Sequence, residues 1–270
     1  MYCRRCTVSS KRHFLLTAAL IATVGSLAAP AQGRNPTHEN VKYGPHERNV
    51  LDFWQAESKR PTPVIVYFHG GGFKNGDKSS IRRSRVIDKC LQSGVSFAAV
   101  NYPFLADDRS YVDIMRHCAR SIQALRARSK EWNIDGRRIG AFGGSAGALI
   151  SEWIGYHGDL GNRNSKDPVA RFSSTLQVVG GMNQPIGSQL VMVHMRRGGP
   201  PLFLYTSAGN NDNVHHPKNA KMVKGVCDSV GIPAVMYIKG ENPPPGGDAH
   251  GALLEFFFKH LGVEPKELKK

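Results

Sequence analysis

The chain has 270 residues, of which 40% are hydrophobic and 21% are charged. This length and composition predict one large globular domain, or at most two small ones, and argue against a disordered chain. The formal net charge is +15, but the basic residues are scattered and form no long tract or nucleic-acid motif. We therefore expect a solvated cationic surface and no nucleic-acid partner. Attraction to an anionic polymer, such as an acidic polysaccharide, is the alternative.

The first 31 residues have the layout of a signal peptide. A basic segment at residues 4–12 precedes an apolar run at residues 14–27, and small residues at 29–31 fit cleavage before Gln32. The run is too short to span a bilayer, so we expect no stable membrane insertion after cleavage. We predict export to the periplasm or the medium and a mature domain over residues 32–270. An uncleaved anchor is the alternative, and the choice between Sec and twin-arginine export stays open.

Three cysteines remain after the predicted cleavage, at widely separated positions. Cys90, Cys118 and Cys227 each lie at an apolar or semi-apolar position of a predicted helix. An odd number with wide spacing is not a disulfide framework, so buried thiols are expected. A single disulfide between two of these cysteines is the alternative in an oxidising compartment.

Strands and helices alternate along the mature chain, which predicts a mostly parallel sheet with helices on both faces. An alternating segment at residues 50–54 is interpreted as an edge strand, and an apolar β-branched run at 62–68 as a strand buried on both faces. Further strands are predicted at 95–101, 138–142, 176–179, 202–205 and 235–238, and helices at 81–91, 111–125, 146–156, 218–230 and 252–261. The polar stretch at 157–171 is predicted to be a loop.

Two glycine-rich loops each follow a predicted strand. The first, at residues 69–73, reads HGGGF, and the second, at residues 143–147, reads GGSAG. Ser145 lies between small residues at the junction of a strand and a helix, as a strained nucleophile turn requires. Backbone N–H groups of Gly71, Gly72 and Ala146 would hold an oxyanion. His69 is expected to orient the first loop.

A serine nucleophile needs a base, and the base needs a group that orients it. We predict that the base is His250, because it follows the last predicted strand and precedes the terminal helix. His215 and His216 are rivals, but they lie close in sequence to the predicted acid, and His260 is interpreted as a surface residue.

The predicted acid is Asp212, in the loop that follows the strand at 202–205. An aspartate at such a position can also be a turn or helix-capping residue. Asp248 is the second choice, although its position two residues before His250 gives poor geometry. Glu241 is the third.

These motifs resemble the α/β-hydrolase superfamily, over roughly residues 40 to 262. The residues that carry the resemblance are the HGGG loop, Ser145 in GGSAG, Asp212, and the pair His250-Gly251. Within the superfamily they are similar to hormone-sensitive-lipase-like carboxylesterases. The opening at residues 43–54 is more similar to secreted bacterial esterases of the feruloyl and acetyl xylan type. The family's Asn-Tyr-Arg-Leu is replaced here at residues 101–104 by NYPF, and residues 159–172 are short, which implies a minimal cap or none.

The resemblance implies a serine carboxylesterase that forms an acyl-Ser145 intermediate. We expect short acyl or aryl esters, such as acetyl or feruloyl esters of polysaccharide, and neither a metal nor an organic cofactor. The alternatives are an exported serine peptidase or amidase of the same fold, and a non-catalytic binding protein. The sequence leaves the acyl and alcohol specificity and the oligomeric state open.

Overall fold

The computed structural model describes residues 1–2 and 33–264, and the latter all belong to one compact unit, Ala31–Lys270. Apart from Met1 and Tyr2, the predicted signal peptide lies outside the described residues. Within the described part of the chain, no helix has the length and apolar character needed to cross a membrane. Cys90, Cys118 and Cys227 are buried and free, as expected of thiols in apolar positions.

The described strands form one sheet of eight, in the order β1-β2-β4-β3-β5-β6-β7-β8. They are His38–Lys42 (β1), Val50–Trp54 (β2), Thr62–Phe68 (β3), Ser96–Val100 (β4), Ile134–Gly144 (β5), Val178–Met182 (β6), Leu202–Thr206 (β7) and Ala234–Ile238 (β8). The pairs β1–β2 and β2–β4 are antiparallel, and the other five pairs are parallel. The predicted mostly parallel sheet is confirmed. The segment at 50–54 is a strand but not an edge, because the polar strand β1 pairs with its outer side.

Helices cover both faces of the sheet. The described α-helices are Arg85–Gln92 (α1), Tyr111–Ala127 (α2), Ala146–His157 (α3), Gln189–Met192 (α4), Lys218–Val230 (α5) and Ala249–His260 (α6). One buried cluster contains residues of α1 and α6, and a second contains residues of α2, α3 and α5. The strands between them are buried on both sides, as in β3, whose residues are nearly all inaccessible. This is the α/β-hydrolase fold.

Side-chain caps set the starts of several helices. Ser110 and Asp113 form a reciprocal capping box at the start of α2, and Ser84 accepts a hydrogen bond from the N–H of Val86 at the start of α1. The predicted helix over 81–91 therefore begins only at Arg85. Likewise, the Asp248 side chain accepts from the Gly251 N–H at 2.8 Å, so α6 begins at Ala249, three residues earlier than predicted.

Candidate active site

Ser145 lies at the tight turn between β5 and α3. Its backbone has φ 54° and ψ −119°, a conformation that non-glycine residues rarely adopt. The Ser145 N–H donates to the Met182 carbonyl at 2.9 Å, which ties the turn to the end of β6. The strained turn projects the hydroxyl beyond the carboxyl edge of the sheet.

The glycines on either side of Ser145 permit a close approach of three backbone segments. A Cβ placed on Gly143 or on Gly147 would collide with the carbonyl oxygen of Phe68, the last residue of β3. A side chain at either position would therefore push α3 away from the sheet. This packing explains why small residues flank the serine in the sequence.

The HGGG loop lies directly against this turn. A Cβ on Gly70 would come within 2.9 Å of the Gly144 carbonyl oxygen and 3.5 Å of the Ser145 Cβ. Gly71 and Gly72 follow with φ of 111° and 61°. Ala146 is the first residue of α3, where an N–H has no acceptor within its own helix. The loop and the helix start thus bring N–H donors to the neighbourhood of Ser145.

His69 holds the HGGG loop from within. Its Nδ1 lies 2.7 Å from the Gly70 carbonyl oxygen, and its ring stacks on Tyr102 with centroids 4.2 Å apart. The Tyr102 hydroxyl donates to the His69 carbonyl oxygen at 2.6 Å. Burial lowers the pKa of His69 to about 4, so the ring is neutral near pH 7 and can donate through Nδ1.

The histidine beside Ser145 is His215, in the loop between β7 and α5. Its Nε2 lies 2.9 Å from the Ser145 Oγ. Its Nδ1 lies 3.4 Å from Oδ2 of Asp212, which is longer than the usual N–H···O range. The other carboxylate oxygen, Oδ1, accepts from the N–H groups of Val214 at 2.9 Å and of His215 at 2.7 Å. The hydrogen bond from the His215 N–H is the main cause that lowers the pKa of Asp212.

The structure does not place His250 where the sequence analysis expected the base. Because Asp248 caps α6, His250 is the second residue of that helix instead of part of the preceding loop. It is exposed, and among the described residues it has no hydrogen bond to Ser145 or Asp212. The sequence analysis ranked His215 below His250 because His215 lies close to Asp212 in sequence. In the structure, a tight turn lets one loop carry both side chains, and His215 reaches Ser145. The missed signal is the Asp-x-x-His spacing of a capped turn.

The other candidates for base and acid have different partners. Asp248 pairs with Lys89 at 2.9 Å, and Glu241 pairs with Lys221 at 2.9 Å. His216 accepts a hydrogen bond from the Lys218 N–H through Nδ1. Within the described residues, no group of three or more His, Cys, Asp or Glu side chains could hold a metal ion.

A cavity of about 580 Å³ opens beside the serine turn, on the face of the sheet that α1 and α6 cover. Four strands contribute to its wall, through Tyr67, Gly144, Met182 and Tyr205, and α6 contributes His250. Its mixture of aromatic and polar walls suits a small group with both an apolar face and hydrogen-bonding atoms.

The family model BD-FAE matches residues 51–186, about half of the chain, including the HGGG loop and the Ser145 turn. The chain belongs to the BD-FAE family. This confirms the predicted resemblance to α/β-hydrolase esterases. Asp212, His215 and His250 of the BD-FAE chain lie beyond the matched residues. No match was found among curated proteins.

Several solved structures share the fold of this BD-FAE chain. An acetyl ester-xyloside bifunctional hydrolase from Caldicellulosiruptor lactoaceticus is 22% identical, with a TM-score of 0.65 over 80% of this chain and 89% of that one. A truncated carbohydrate esterase from gut microbiota is 17% identical, with a TM-score of 0.70 over 86% and 99%. Apo esterase 2 from Thermogutta terrifontis is 18% identical, with a TM-score of 0.67 over 86% and 98%.

Proposed function

We propose that this chain is a serine carboxylic-ester hydrolase that acts on short acyl or aryl esters carried by a polysaccharide. The observation that carries the proposal is the 2.9 Å contact between the Ser145 Oγ and the His215 Nε2, beside the HGGG loop that packs against the serine turn. Two proteins of similar structure support the proposal, since one is an acetyl ester-xyloside bifunctional hydrolase and the other is a carbohydrate esterase. The Thermogutta terrifontis esterase was also observed with bound butyrate and phosphorylated by paraoxon.

In the proposed reaction, the Ser145 Oγ attacks the ester carbonyl carbon while its proton passes to the His215 Nε2. The carbonyl oxygen becomes an oxyanion, which the N–H groups of Gly71, Gly72 and Ala146 stabilise. His215 then protonates the departing alcohol, leaving an acyl-Ser145. Water gives a proton to His215 and attacks the acyl carbon, and the return of that proton to Ser145 releases the acid.

Asp212 has the role of the orienting acid. Its Oδ2 faces the His215 Nδ1 and would favour the tautomer in which Nδ1 carries the proton and Nε2 is free to accept one. The imidazolium formed during attack would be stabilised by the same carboxylate. The 3.4 Å separation leaves room for this contact to shorten when a substrate is bound.

His250 is the second candidate for the base. Two observations favour it: its place after the last strand of the sheet, and its position on the wall of the cavity that also includes Gly144. In that arrangement His215 would instead contact the substrate or hold Ser145 between turnovers.

The decisive experiment is hydrolysis of p-nitrophenyl acetate, butyrate and decanoate by protein that lacks residues 1–31, beside the same protein with Ser145→Ala. We expect turnover of the short esters and its loss in the variant. Release of acetate or ferulate from acetylated or feruloylated xylan would then define the acyl group. Activity that survives Ser145→Ala would contradict the proposed nucleophile, and cleavage of amides without cleavage of esters would favour a peptidase or amidase.

We also propose that residues 1–31 direct export, which would bring the enzyme to polymers outside the cytoplasm. Fractionation of cells that express the full chain tests this. Mature protein that begins at Gln32, in the periplasm or the medium, is the expected result. Full-length protein held in the membrane would favour the uncleaved anchor.

A further inference from the structure

A second cavity, of about 770 Å³, lies at the edge of the sheet opposite to Ser145. Its wall includes Pro61, before β3, and Ile134, the first residue of β5, whereas Ser145 follows the last residue of β5. Because β5 bulges between Ile134 and Ile139, its two ends are separated by about the length of the seven-residue β3 beside it, roughly 20 Å at the usual rise per residue of a strand. Arginines dominate the wall: Arg60, Arg126, Arg137, Arg138, Arg163 and Arg171.

Neighbouring groups already satisfy the two acidic side chains of this wall. Asp135 pairs with Arg137 at 3.3 Å and with Arg138 at 2.9 Å. The Asp159 Oδ1 accepts from the N–H groups of Gly161 at 2.9 Å and of Ser174 at 2.8 Å. The other four arginines of the wall have no ion pair with a carboxylate in the described part of the chain. They are Arg60, Arg126, Arg163 and Arg171.

Arg126 is the most enclosed of these four. It donates to the carbonyl oxygens of Gly136 at 2.7 Å, Ser173 at 2.6 Å and Thr175 at 2.5 Å. Burial lowers the pKa of its guanidinium to about 10, so the side chain is still charged near pH 7. Its hydrogen-bond partners are neutral, and the nearby Asp159 carboxylate, which raises the pKa of Arg126, offsets part of its charge. Arg126 thus fixes the wall and leaves there part of a positive charge that a further anion would offset.

The other three arginines have donors to spare. Arg60 and Arg163 are exposed, and neither side chain has a hydrogen-bond acceptor among residues 33–264. Arg171 donates to the Ser165 carbonyl through Nε at 2.8 Å, which leaves its two terminal nitrogens free. Guanidinium groups with free terminal nitrogens match the geometry of a carboxylate.

The same wall carries an exposed aromatic ring. Phe172 is 39% exposed, although it follows Arg171 in a polar loop. An aromatic ring beside free guanidinium groups offers an apolar surface for the C–H face of a sugar and cations for its acidic substituent. Neither feature depends on the other, and both point to a charged sugar.

We propose that this arginine cavity binds carboxylate-bearing sugars of an acidic polysaccharide. It would hold the polymer at one edge of the sheet while Ser145 acts at the other edge. The choice of a polysaccharide over other polyanions rests on the proposed function, because an esterase of polysaccharide meets uronic acids on the same chains as its esters. Arginines that are scattered in the sequence come together in this cavity, so part of the net positive charge would serve to bind the polymer.

Binding can be tested without turnover, by affinity electrophoresis of the mature protein in gels that contain polygalacturonate, neutral xylan or single-stranded RNA. The probe variant is Arg60→Gln, Arg163→Gln and Arg171→Gln combined. The control combines Arg83→Gln, Arg85→Gln and Lys259→Gln, which removes the same charge from exposed residues that have no ion pair in the described part of the chain. Phe172→Ala is tested beside Phe172→Tyr, which retains an aromatic ring.

We expect retardation by polygalacturonate and not by neutral xylan, about tenfold weaker affinity in the probe variant, and less than twofold loss in the control. Phe172→Ala should weaken binding and Phe172→Tyr should not. Equal losses in the probe and control variants would overturn the proposal, because they would mean that only net charge matters. Tighter binding of RNA than of polygalacturonate would also overturn it. Equal midpoints of thermal unfolding in every variant would show that the folds are intact. Because neither readout depends on ester turnover, this test stays separate from that of Ser145.

Discussion

The Oγ of Ser145 and the Nε2 of His215 lie 2.9 Å apart, although the two residues come from loops that follow non-adjacent strands. Ser145 follows β5, and His215 follows β7, with β6 between them. The contact arises because parallel strands deliver their carboxyl ends to one edge of the sheet. It brings an imidazole nitrogen to the serine hydroxyl from the same loop as Asp212.

The first prediction separates the two histidines. We expect His215→Ala to lower kcat/KM for p-nitrophenyl acetate by a factor on the order of 10⁴, because Ser145 would lose its proton acceptor. We expect His250→Ala to lower it by less than about tenfold, because His250 only lines the neighbouring cavity. Steady-state kinetics of the two variants provide the comparison. The reverse order would assign the base to His250, and the contact at His215 would then not be the catalytic one.

The second prediction concerns Asp212. Asp212→Asn removes the negative charge that faces the His215 Nδ1, and we expect kcat to fall at least about 100-fold with little change in KM. Asp228→Asn is the matched control, since Asp228 is also a surface carboxylate and, among residues 33–264, pairs only with Lys224, at 2.6 Å. Equal kcat in the two variants would exclude Asp212 as the orienting acid.

The third prediction is a pH dependence of stability that originates from Glu152. This carboxyl is fully buried in α3, beneath the serine turn, and accepts from the Gln184 amide at 2.9 Å. Burial raises its pKa from 4.5 to about 8. Between these values the folded chain keeps a proton that the unfolded chain releases, so Glu152 lowers the free energy of unfolding as pH rises.

Glu152→Gln should remove this dependence. We expect the variant to gain stability relative to the parent as pH rises from about 5 to about 8, by up to a few kcal/mol. Urea unfolding at several pH values measures the difference, and the groups common to both proteins cancel. Parallel stability curves for the two proteins would contradict the prediction.

The fourth prediction concerns a buried ion pair at the start of the sheet. The Asp52 carboxylate is inaccessible and contacts the Lys78 ammonium at 2.9 Å and the Arg82 guanidinium at 2.7 Å. Lys78→Met would leave a buried carboxylate with one cation, and we expect a loss of about 3 kcal/mol of stability. Lys89→Met breaks the exposed pair with Asp248 and should cost less than about 1 kcal/mol. Thermal unfolding of the two variants measures both losses of stability. Equal losses would contradict the prediction.

Much of the fold could be predicted because local patterns agree with the tertiary structure. The run at 62–68 is apolar and β-branched, and it forms β3 with those same bounds. The helix predicted at 218–230 is α5, residue for residue. β1 could not be predicted, because HENVK carries no apolar alternation and becomes a strand only by pairing with β2.

By itself, the sequence determined the elements of the site that depend on neighbours along the chain. The turn at Ser145 and the HGGG loop both need small residues beside a strand, and small residues can be recognised in the sequence. Tertiary structure decided which histidine reaches the serine. A capping hydrogen bond from Gly251 to Asp248 starts α6 early and fixes His250 in its first turn. The packing of β7 beside β6 carries His215 across to Ser145. The cap is a local hydrogen bond between residues three apart, whereas the contact between His215 and Ser145 joins residues 70 apart in the sequence, which a sequence motif does not encode.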